Sequence, residues 1–355
     1  MITGTNKTEA EYRATVMDSS SSLKDFSFDR KKYFRKYLLN EEIAEKDSQA
    51  SITGRLVETL LMEPELFDDK FHMSALAKSP TGKMLDFVNA LCDITLKNTD
   101  ENGDVTKTFE EMATEARVIA EFDWSLKVIL NKFEGQDPEI YYNEIRTVRA
   151  NNLTVVTTQD VSNAEKVVES LKTNPVTSDI VNLKSGKQYT VLTQFQVEGY
   201  EVDGHLFKSM MDKAIVDHLG RQIQIYDLKC VWAVENFYEE YYLYRRAYIQ
   251  GFLYFKGFQS IVEDKNSEYY GYEVLPPKFI VCDSTNYFNP LIYVMSEHDL
   301  IDAYEGFEYK GRSYRGVRDL ISDLQWALET NTWNISRENS LSDGIVQLTK
   351  QPNHE

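Results

Sequence analysis

The chain has 355 residues, a formal net charge of −18 and 42% hydrophobic residues. This length allows one large domain or two ordinary ones, and the hydrophobic content suffices for a substantial core. The acidic excess argues against a general nucleic-acid-binding surface, although basic residues could still line one channel. There is no apolar N-terminal segment and no long apolar run, so neither a signal peptide nor a membrane span is expected.

The three cysteines, Cys92, Cys230 and Cys282, are widely separated. They form no CxxC pair and no zinc or iron–sulfur spacing. The pattern predicts a reducing, cytoplasmic environment, and it excludes a site built on a four-cysteine cluster.

A basic and aromatic helix follows the polar N-terminal lead, and Ser21 or Ser22 could cap it. Its cations include Lys32 and Arg35, which alternate with tyrosine and phenylalanine side chains. Such a helix can contact phosphates. A solvated face above a core-facing aromatic stripe accounts for the same pattern equally well.

The next helix carries an acidic side chain among apolar ones. Leu56, Val57, Leu60 and Leu61 have helical spacing, and Glu58 stands among them. A carboxylate close to an apolar surface is costly unless a group pairs with it. Glu58 therefore either belongs to a functional site or lies on the solvent-exposed face of the helix.

Helical patterns cover residues 109–133 and 157–174, and the alternating segment 188–202 predicts a strand that leads to a hairpin over Phe207 to Lys229. Asp227 and Lys229, two apart on the second arm, share a face, and Asp212 lies on the first arm. Two carboxylates this close repel unless a cation lies between them. Mg²⁺ is the natural candidate because it takes oxygen ligands and keeps several waters.

A helix dense in aromatic residues is predicted from about Tyr238. Arg246, Gln250 and Tyr254 lie four apart and form one stripe of it. Two strands, over residues 276–284 and 290–296, a short helix and a final amphipathic helix over residues 316–333 complete the chain.

These features in order resemble the PD-(D/E)XK nuclease superfamily, and within it the RecE-type exonucleases (exonuclease VIII) of phages and prophages and related lambda-exonuclease-like phage nucleases. The resemblance runs from about Ser19 to about Arg337. Family members usually carry His at the position of Glu58, where lambda exonuclease uses Glu. The residues that carry the resemblance are Gly54-x-x-x-Glu58, Glu63-Pro64-Glu65-x-Phe67, Asp212, Asp227-Leu228-Lys229 and the Gln250-bearing helix.

The resemblance implies an α/β (α+β) fold: a central mixed β-sheet flanked by helices, a restriction-endonuclease-like core with a helical insertion at about residues 75–185. One nuclease domain would span residues 19–337, between a flexible lead over 1–18 and a flexible tail over 338–355.

The resemblance also implies roles. Asp212 and Asp227 would hold one or two Mg²⁺ ions, with Mn²⁺ as a possible substitute and Glu58 as a direct or water-mediated ligand. Lys229 would position or deprotonate the attacking water. Either Arg246 with Gln250, or Gln250 with Tyr254, is the family's helix motif that contacts the scissile-strand phosphate or terminal base. The further candidate DNA contacts are Arg245, Lys32 and Arg35.

The expected function is a metal-dependent exonuclease that degrades linear double-stranded DNA from a 5′ end, in phage recombination or DNA processing. A ring-shaped homo-oligomer, a single-strand annealing partner and a cytoplasmic location without membrane association belong to the same expectation. Two alternatives stay open: a structure-specific endonuclease of this fold, and a catalytically silent DNA- or protein-binding counter-defence module. The intact trio of Asp212, Asp227 and Lys229 argues against the silent module.

Overall fold

A computed structural model describes residues 4–5, 7–41, 48–149, 153–284 and 289–345. The chain divides into two compact units, which we describe separately. Unit 1 comprises Met1–Lys46, Leu171–Asp283 and Phe288–Glu355, and unit 2 comprises Asp47–Ser170 and Ser284–Tyr287. In the described ranges, no helix is both long enough and apolar enough to span a bilayer.

The strands in chain order are β1 (Gly4–Thr5), β2 (Phe71–Met73), β3 (Thr154–Val156), β4 (Tyr189–Val202), β5 (His205–Asp217), β6 (Gln222–Val231), β7 (Glu273–Asp283), β8 (Leu291–Val294), β9 (Gly306–Tyr309) and β10 (Arg312–Arg315). The α-helices are α1 (Glu9–Ala14), α2 (Ser20–Phe28), α3 (Arg30–Tyr33), α4 (Gln49–Met62), α5 (Phe67–Lys70), α6 (Gly82–Lys97), α7 (Phe109–Ile119), α8 (Leu126–Phe133), α9 (Asp137–Arg149), α10 (Thr158–Thr173), α11 (Ser178–Val181), α12 (Ala247–Glu263), α13 (Glu297–Glu305), α14 (Val317–Thr330) and α15 (Arg337–Leu341).

Unit 1 is built on a six-stranded sheet in the order β1-β4-β5-β6-β7-β8. The neighbouring strands are antiparallel except β6 and β7, which are parallel, so the sheet is mixed. The connection between these two parallel strands contains α12, as a parallel crossover requires. The predicted mixed sheet flanked by helices is confirmed, as are the predicted strands β4, β7 and β8.

The core of unit 1 lies between the sheet and α12, which packs on β4, β5 and β7. Close approach depends on two glycines of this helix. A Cβ atom at Gly251 would collide with Met295 Sδ, and one at Gly257 would lie 3.0 Å from Met211 Cε. The small residues let α12 lie against the strands that carry the candidate site.

Elsewhere on the sheet, Lys213 of β5 donates from Nζ to the Val181 carbonyl of α11 at 3.2 Å.

Unit 2 is mainly helical and has a separate apolar core. The short strands β2 and β3 pair in parallel. Helices α6, α7, α8 and α9 bury large side chains against one another, among them Phe87, Leu91 and Phe133. Helix α4, which carries Glu58, also belongs to this unit.

Three details of the predicted organisation look different in the structure. The segment expected as a flexible lead contains β1 and α1, and α1 begins with a capping box between Thr8 and Glu11. The helix expected to run on from Tyr238 is broken: a π-helical segment spans Tyr238–Tyr244, and α12 begins only at Ala247. In the expected tail, α15 is present, while residues 346–355 lie outside the described range.

The break has a local cause. Arg246 adopts φ 57° and ψ 44°, a left-handed conformation that cannot continue a right-handed helix. Arg246 is therefore the residue that precedes the first turn of α12. The expectation that it shares a helical stripe with Gln250 and Tyr254 is wrong for this reason.

We expect Phe258→Ala to lower the free energy of unfolding by about 3–5 kcal/mol, because a fully buried ring is removed from a packed core. Phe258 is 0% exposed and stacks on Phe195 of β4 with ring centroids 5.2 Å apart. Urea denaturation measures the effect. The control Val294→Ala, at a 61% exposed position, should change the value by no more than about 0.5 kcal/mol. Equal effects of the two substitutions would contradict this account of the core.

Candidate active site

The β5–β6 hairpin brings the two predicted aspartates together. Its antiparallel register runs from Asp217 opposite Gln222 to Lys213 opposite Tyr226. The ladder ends there, and Asp212 and Asp227 are the next residues on the two strands. There the Leu228 backbone N–H donates to Asp212 Oδ2 at 2.7 Å in place of a strand-to-strand bond. The hairpin predicted over Phe207 to Lys229 is confirmed, with its turn between Asp217 and Gln222.

Asp227 is the most buried member of this site, with 1% of its side chain exposed. Its Oδ1 atom accepts a hydrogen bond from Gln250 Nε2 at 3.0 Å. Its Oδ2 atom is buried and forms an ion pair with the Lys229 ammonium, and it accepts no hydrogen bond from the part of the chain that the structure describes. A buried carboxylate is costly unless compensated, and here one cation and one amide provide the compensation.

Gln250 also links the aspartate to Tyr254. The Gln250 Nε2 atom lies 2.7 Å from the Tyr254 hydroxyl, to which it donates its second N–H. Tyr254 is buried, and burial together with the charges of Asp227 and Asp212 raises its pKa well above the ordinary value. The phenol is therefore neutral, and its oxygen lies near both carboxylates. The helix motif had two alternatives, Arg246 with Gln250 or Gln250 with Tyr254. In the second pair the two side chains are hydrogen-bonded to each other, and Gln250 is also bonded to Asp227.

A second ammonium, which the sequence reasoning missed, lies close to this centre. Lys24 of α2 is half-buried, and burial lowers its pKa to about 8. The positive charge of Lys229 contributes to this lowering, whereas the negative charges of Asp227 and Asp25 oppose it. The sequence offered one sign that Lys24 is partly buried, namely its position between the apolar residues Leu23 and Phe26 of a short helix. That local pattern does not reveal which strand the helix packs against, so it could not place Lys24 near Asp227.

The other predicted cations make contacts of their own. The Arg246 guanidinium lies 4.2 Å from the ring centroid of Phe28, and that of Arg245 lies 4.5 Å from the ring centroid of Tyr241. Lys32 Nζ pairs with Asp25 at 2.8 Å, and Arg35 Nε pairs with Glu41 at 2.6 Å. For Lys32 and Arg35 these pairs match the solvated-face alternative. It stays a prediction that these four residues contact DNA: Arg245, Arg246, Lys32 and Arg35.

Glu58 lies on α4 of unit 2 and is half-buried, whereas Asp212 and Asp227 belong to unit 1. Its proposed role as a third metal ligand stays a prediction. Within the described ranges, no group of three or more histidine, cysteine, aspartate or glutamate side chains is placed to hold a metal ion.

Two neighbouring carboxylates nevertheless suit Mg²⁺. This ion is commonly held by one or two carboxylates, with waters and substrate oxygens completing its shell. The observation that favours the fit is the buried Asp227 Oδ2 atom, which forms an ion pair with Lys229 and accepts no hydrogen bond from any described residue. Asp212 and Asp227 are the residues that would hold the ion.

Comparison with known proteins adds little. No family model matches the chain, and no curated protein matches it. One solved structure, of a "Putative exonuclease" from Eubacterium rectale, aligns over 98% of this chain and 96% of its own, with 14% sequence identity and a TM-score of 0.47. That degree of overlap establishes neither a shared family nor a shared activity.

The placement of Lys24 predicts a distinctive titration. Because Asp227 raises and Lys229 lowers the pKa of Lys24, Asp227→Asn should lower the pKa below about 8, and Lys229→Met should raise it. Lysines labelled with ¹³C-methyl groups can be titrated by NMR, and Lys24→Arg identifies the signal. Shifts in the same direction in both variants, or no shift in either, would show that Lys24 lies away from the pair.

Proposed function

We propose that this protein is a metal-dependent nuclease that hydrolyses phosphodiester bonds of DNA, and specifically an exonuclease acting on linear double-stranded DNA. The observation that carries the proposal is the convergence of Asp212, Asp227 and Lys229 at the end of the β5–β6 ladder, with Gln250 of α12 bonded to Asp227. Two carboxylates can hold a catalytic divalent metal ion, and a neighbouring ammonium can stabilise charge that develops on a phosphate.

Each residue has a chemical task in this proposal. Asp212 and Asp227 would hold Mg²⁺, or Mn²⁺ in its place, with Glu58 as a further ligand. The bound ion supplies an activated water and offsets negative charge on the phosphate. Gln250 fixes Asp227 through Oδ1 and so leaves Oδ2 to face the reacting groups. Lys229, already beside that oxygen, orients the water and stabilises charge that develops on the phosphate.

The finer parts of the proposal rest on the family resemblance. They are degradation from a 5′ end, a role in phage recombination or DNA processing, a ring-shaped homo-oligomer, a single-strand annealing partner and a cytoplasmic location. The structure-specific endonuclease and the silent binding module remain the competing proposals, and one assay separates all three.

That assay compares end-labelled linear duplex DNA with closed circular DNA, each in Mg²⁺ and in EDTA. An exonuclease degrades only the linear form, and only with the metal. Cleavage of the circle would favour the endonuclease, and absence of cleavage with any divalent metal would favour the silent module. Labelling the 5′ or the 3′ end then reports polarity.

Asp227→Asn and Asp212→Asn should each abolish cleavage, because each neutralises a metal ligand while it keeps the size of the side chain and an oxygen that can accept the bond from Gln250 or Leu228. Circular dichroism should show an unchanged fold. Ca²⁺ should support DNA binding by the unaltered protein without turnover, since it is larger and activates water less. Full activity of Asp227→Asn would refute the site.

Lys229→Ala should slow the chemical step about 10²–10³-fold in single-turnover experiments, the usual effect of losing one group that stabilises the transition state. Metal and DNA binding should persist. Lys229→Arg should rescue poorly, because a planar guanidinium neither occupies the place of the ammonium nor gives up a proton. A rate close to that of the unaltered enzyme would mean that Lys229 serves only as the ion-pair partner of Asp227.

A further inference from the structure

Unit 2 contains a cavity of about 870 Å³ that the candidate active site does not include. Its wall is formed by the residues at the start of α6, by the connection between α7 and α8, and by the junction of α8 with α9. All of these segments belong to unit 2. Concave sites of about 300–1,000 Å³ with aromatic walls and a few polar groups are typical ligand sites. We call this one the α6–α8 cavity.

One wall of the α6–α8 cavity is an aromatic surface. Trp124 is 45% exposed, and its ring meets the buried ring of Phe122 edge-on with centroids 5.1 Å apart. Phe122 in turn stacks on Phe87, a fully buried residue of the core of unit 2. The Trp124 ring is therefore supported from the core and still has almost half of its surface open to a ligand.

Three ammonium groups line the same cavity: Lys78, Lys83 and Lys132. Lys132 of α8 places its Nζ atom 5.2 Å from the ring centroid of Trp124. Lys83 donates from Nζ to the Ala120 carbonyl at 3.0 Å, so its ammonium is fixed at the end of α7. Lys78 is exposed. Cations therefore stand beside an exposed aromatic ring.

The charges at the α6–α8 cavity differ from those of the unit around it. Unit 2 has 23 acidic and 12 basic residues. The three lysines of the cavity wall accompany two carboxylates, Asp123 and Asp137. Asp137 lies in the first turn of α9, where the helix dipole offsets its charge. Glu121, 3.8 Å from Lys83, is 86% exposed and so largely screened by solvent. The cavity therefore favours an anionic ligand, although the unit as a whole repels one.

The start of α6 adds hydrogen-bond donors to this wall. The 16-residue helix begins at Gly82, and no described side chain caps its first turn. A Cβ atom at Gly82 would meet no described atom within 4 Å, so the approach to these N–H groups is open. Free N–H groups at a helix N-terminus can donate to a phosphate oxygen, beside the ammonium of Lys83.

We propose that the α6–α8 cavity binds unpaired nucleotides of a nucleic-acid strand. Single strands are held by aromatic rings that stack on bases and by cations that follow the phosphates, and Trp124 with the three lysines provides both. A base within a duplex has both faces covered by its neighbours and cannot stack on Trp124. The inference rests on the proposed function in one respect: it takes the strand to be DNA, because degradation of one strand of a duplex leaves the other unpaired.

The chain supplies a matched control for Lys132. Lys127 is also an exposed lysine of α8, but it does not line the cavity. The two residues are five positions apart, which places their side chains about 140° apart around the helix. Replacing either lysine by glutamine removes one charge from the same helix.

The test measures binding of a labelled single-stranded oligothymidylate by fluorescence anisotropy in EDTA, over a series of salt concentrations. Trp124→Leu should weaken binding roughly tenfold, the usual effect of losing one stacked base. Lys132→Gln should reduce the slope of log affinity against log salt by about 0.7, the value for one phosphate contact of a single strand. Lys127→Gln should leave the slope unchanged and the affinity within about twofold, because it loses no phosphate contact.

Two further measurements make the test independent of any one variant. The oligonucleotide should quench part of the tryptophan fluorescence of the unaltered protein, and Trp124→Leu should lack that part. Lys78→Gln should reduce the salt slope as Lys132→Gln does, so the result does not depend on the folding of Trp124→Leu. Thermal melting verifies that each variant is folded.

A blunt duplex of the same length is the comparison ligand, and a loss of affinity confined to the single strand supports the proposal. An equal loss with the duplex would overturn the assignment to unpaired nucleotides. Unchanged single-strand binding in both Trp124→Leu and Lys132→Gln would overturn the proposal, as would an equal loss in Lys127→Gln. A loss in Lys132→Gln without one in Trp124→Leu would overturn the stacking site. Tighter binding of oligouridylate RNA than of oligothymidylate would overturn the assignment to DNA.

Binding in EDTA is independent of catalysis, so this inference and the proposed nuclease activity can fail separately. Loss of single-strand binding in the cavity variants of a protein that never cleaves DNA would leave the inference standing without the nuclease. Cleavage by a protein whose cavity variants bind single strands normally would do the reverse.

Discussion

The candidate site depends on one buried carboxylate. Asp227, 1% exposed, is held by Gln250 at one oxygen and by Lys229 at the other. The three groups come from two elements, a strand and the helix that covers it, and α12 lies close to the sheet because Gly251 and Gly257 leave room for Met295 and Met211. If α12 moved away from the sheet, Asp227 would lose the hydrogen bond from Gln250 and would keep its ion pair with Lys229.

The neighbourhood of Asp227 separates two kinds of positive charge. Lys229 forms an ion pair with this carboxylate, and the charge of the carboxylate raises the pKa of Lys24. Both ammonium groups therefore belong to the acidic centre. Arg246, by contrast, stacks on Phe28. An overall charge of −18 hides both features, because net charge averages over a surface while binding depends on local arrangement.

The strands and the hairpin could be predicted from the sequence, whereas the helix motif could not, and the difference has a physical reason. The strands and the β5–β6 hairpin follow from alternation and turn residues, which act over a few positions, so the pattern alone predicts that Asp212 and Asp227 lie side by side. The helix motif could not be settled in this way. A periodic stripe of Arg246, Gln250 and Tyr254 assumes an unbroken helix, and the left-handed backbone at Arg246 interrupts it.

The amino-acid sequence by itself determined the individual strands and the hairpin that carries Asp212 and Asp227 on its two arms, because these depend on residues near one another in the chain. The mixed sheet was expected only from the family resemblance, since its parallel pair joins β6 to β7 across α12. Tertiary packing decided the rest. It brought Lys24 to Asp227 from another helix, bonded Gln250 to both Asp227 and Tyr254, and joined Arg30 and Arg315 to the carboxylate of Asp323. These contacts join residues up to 293 positions apart, and local periodicity contains no information about such distances.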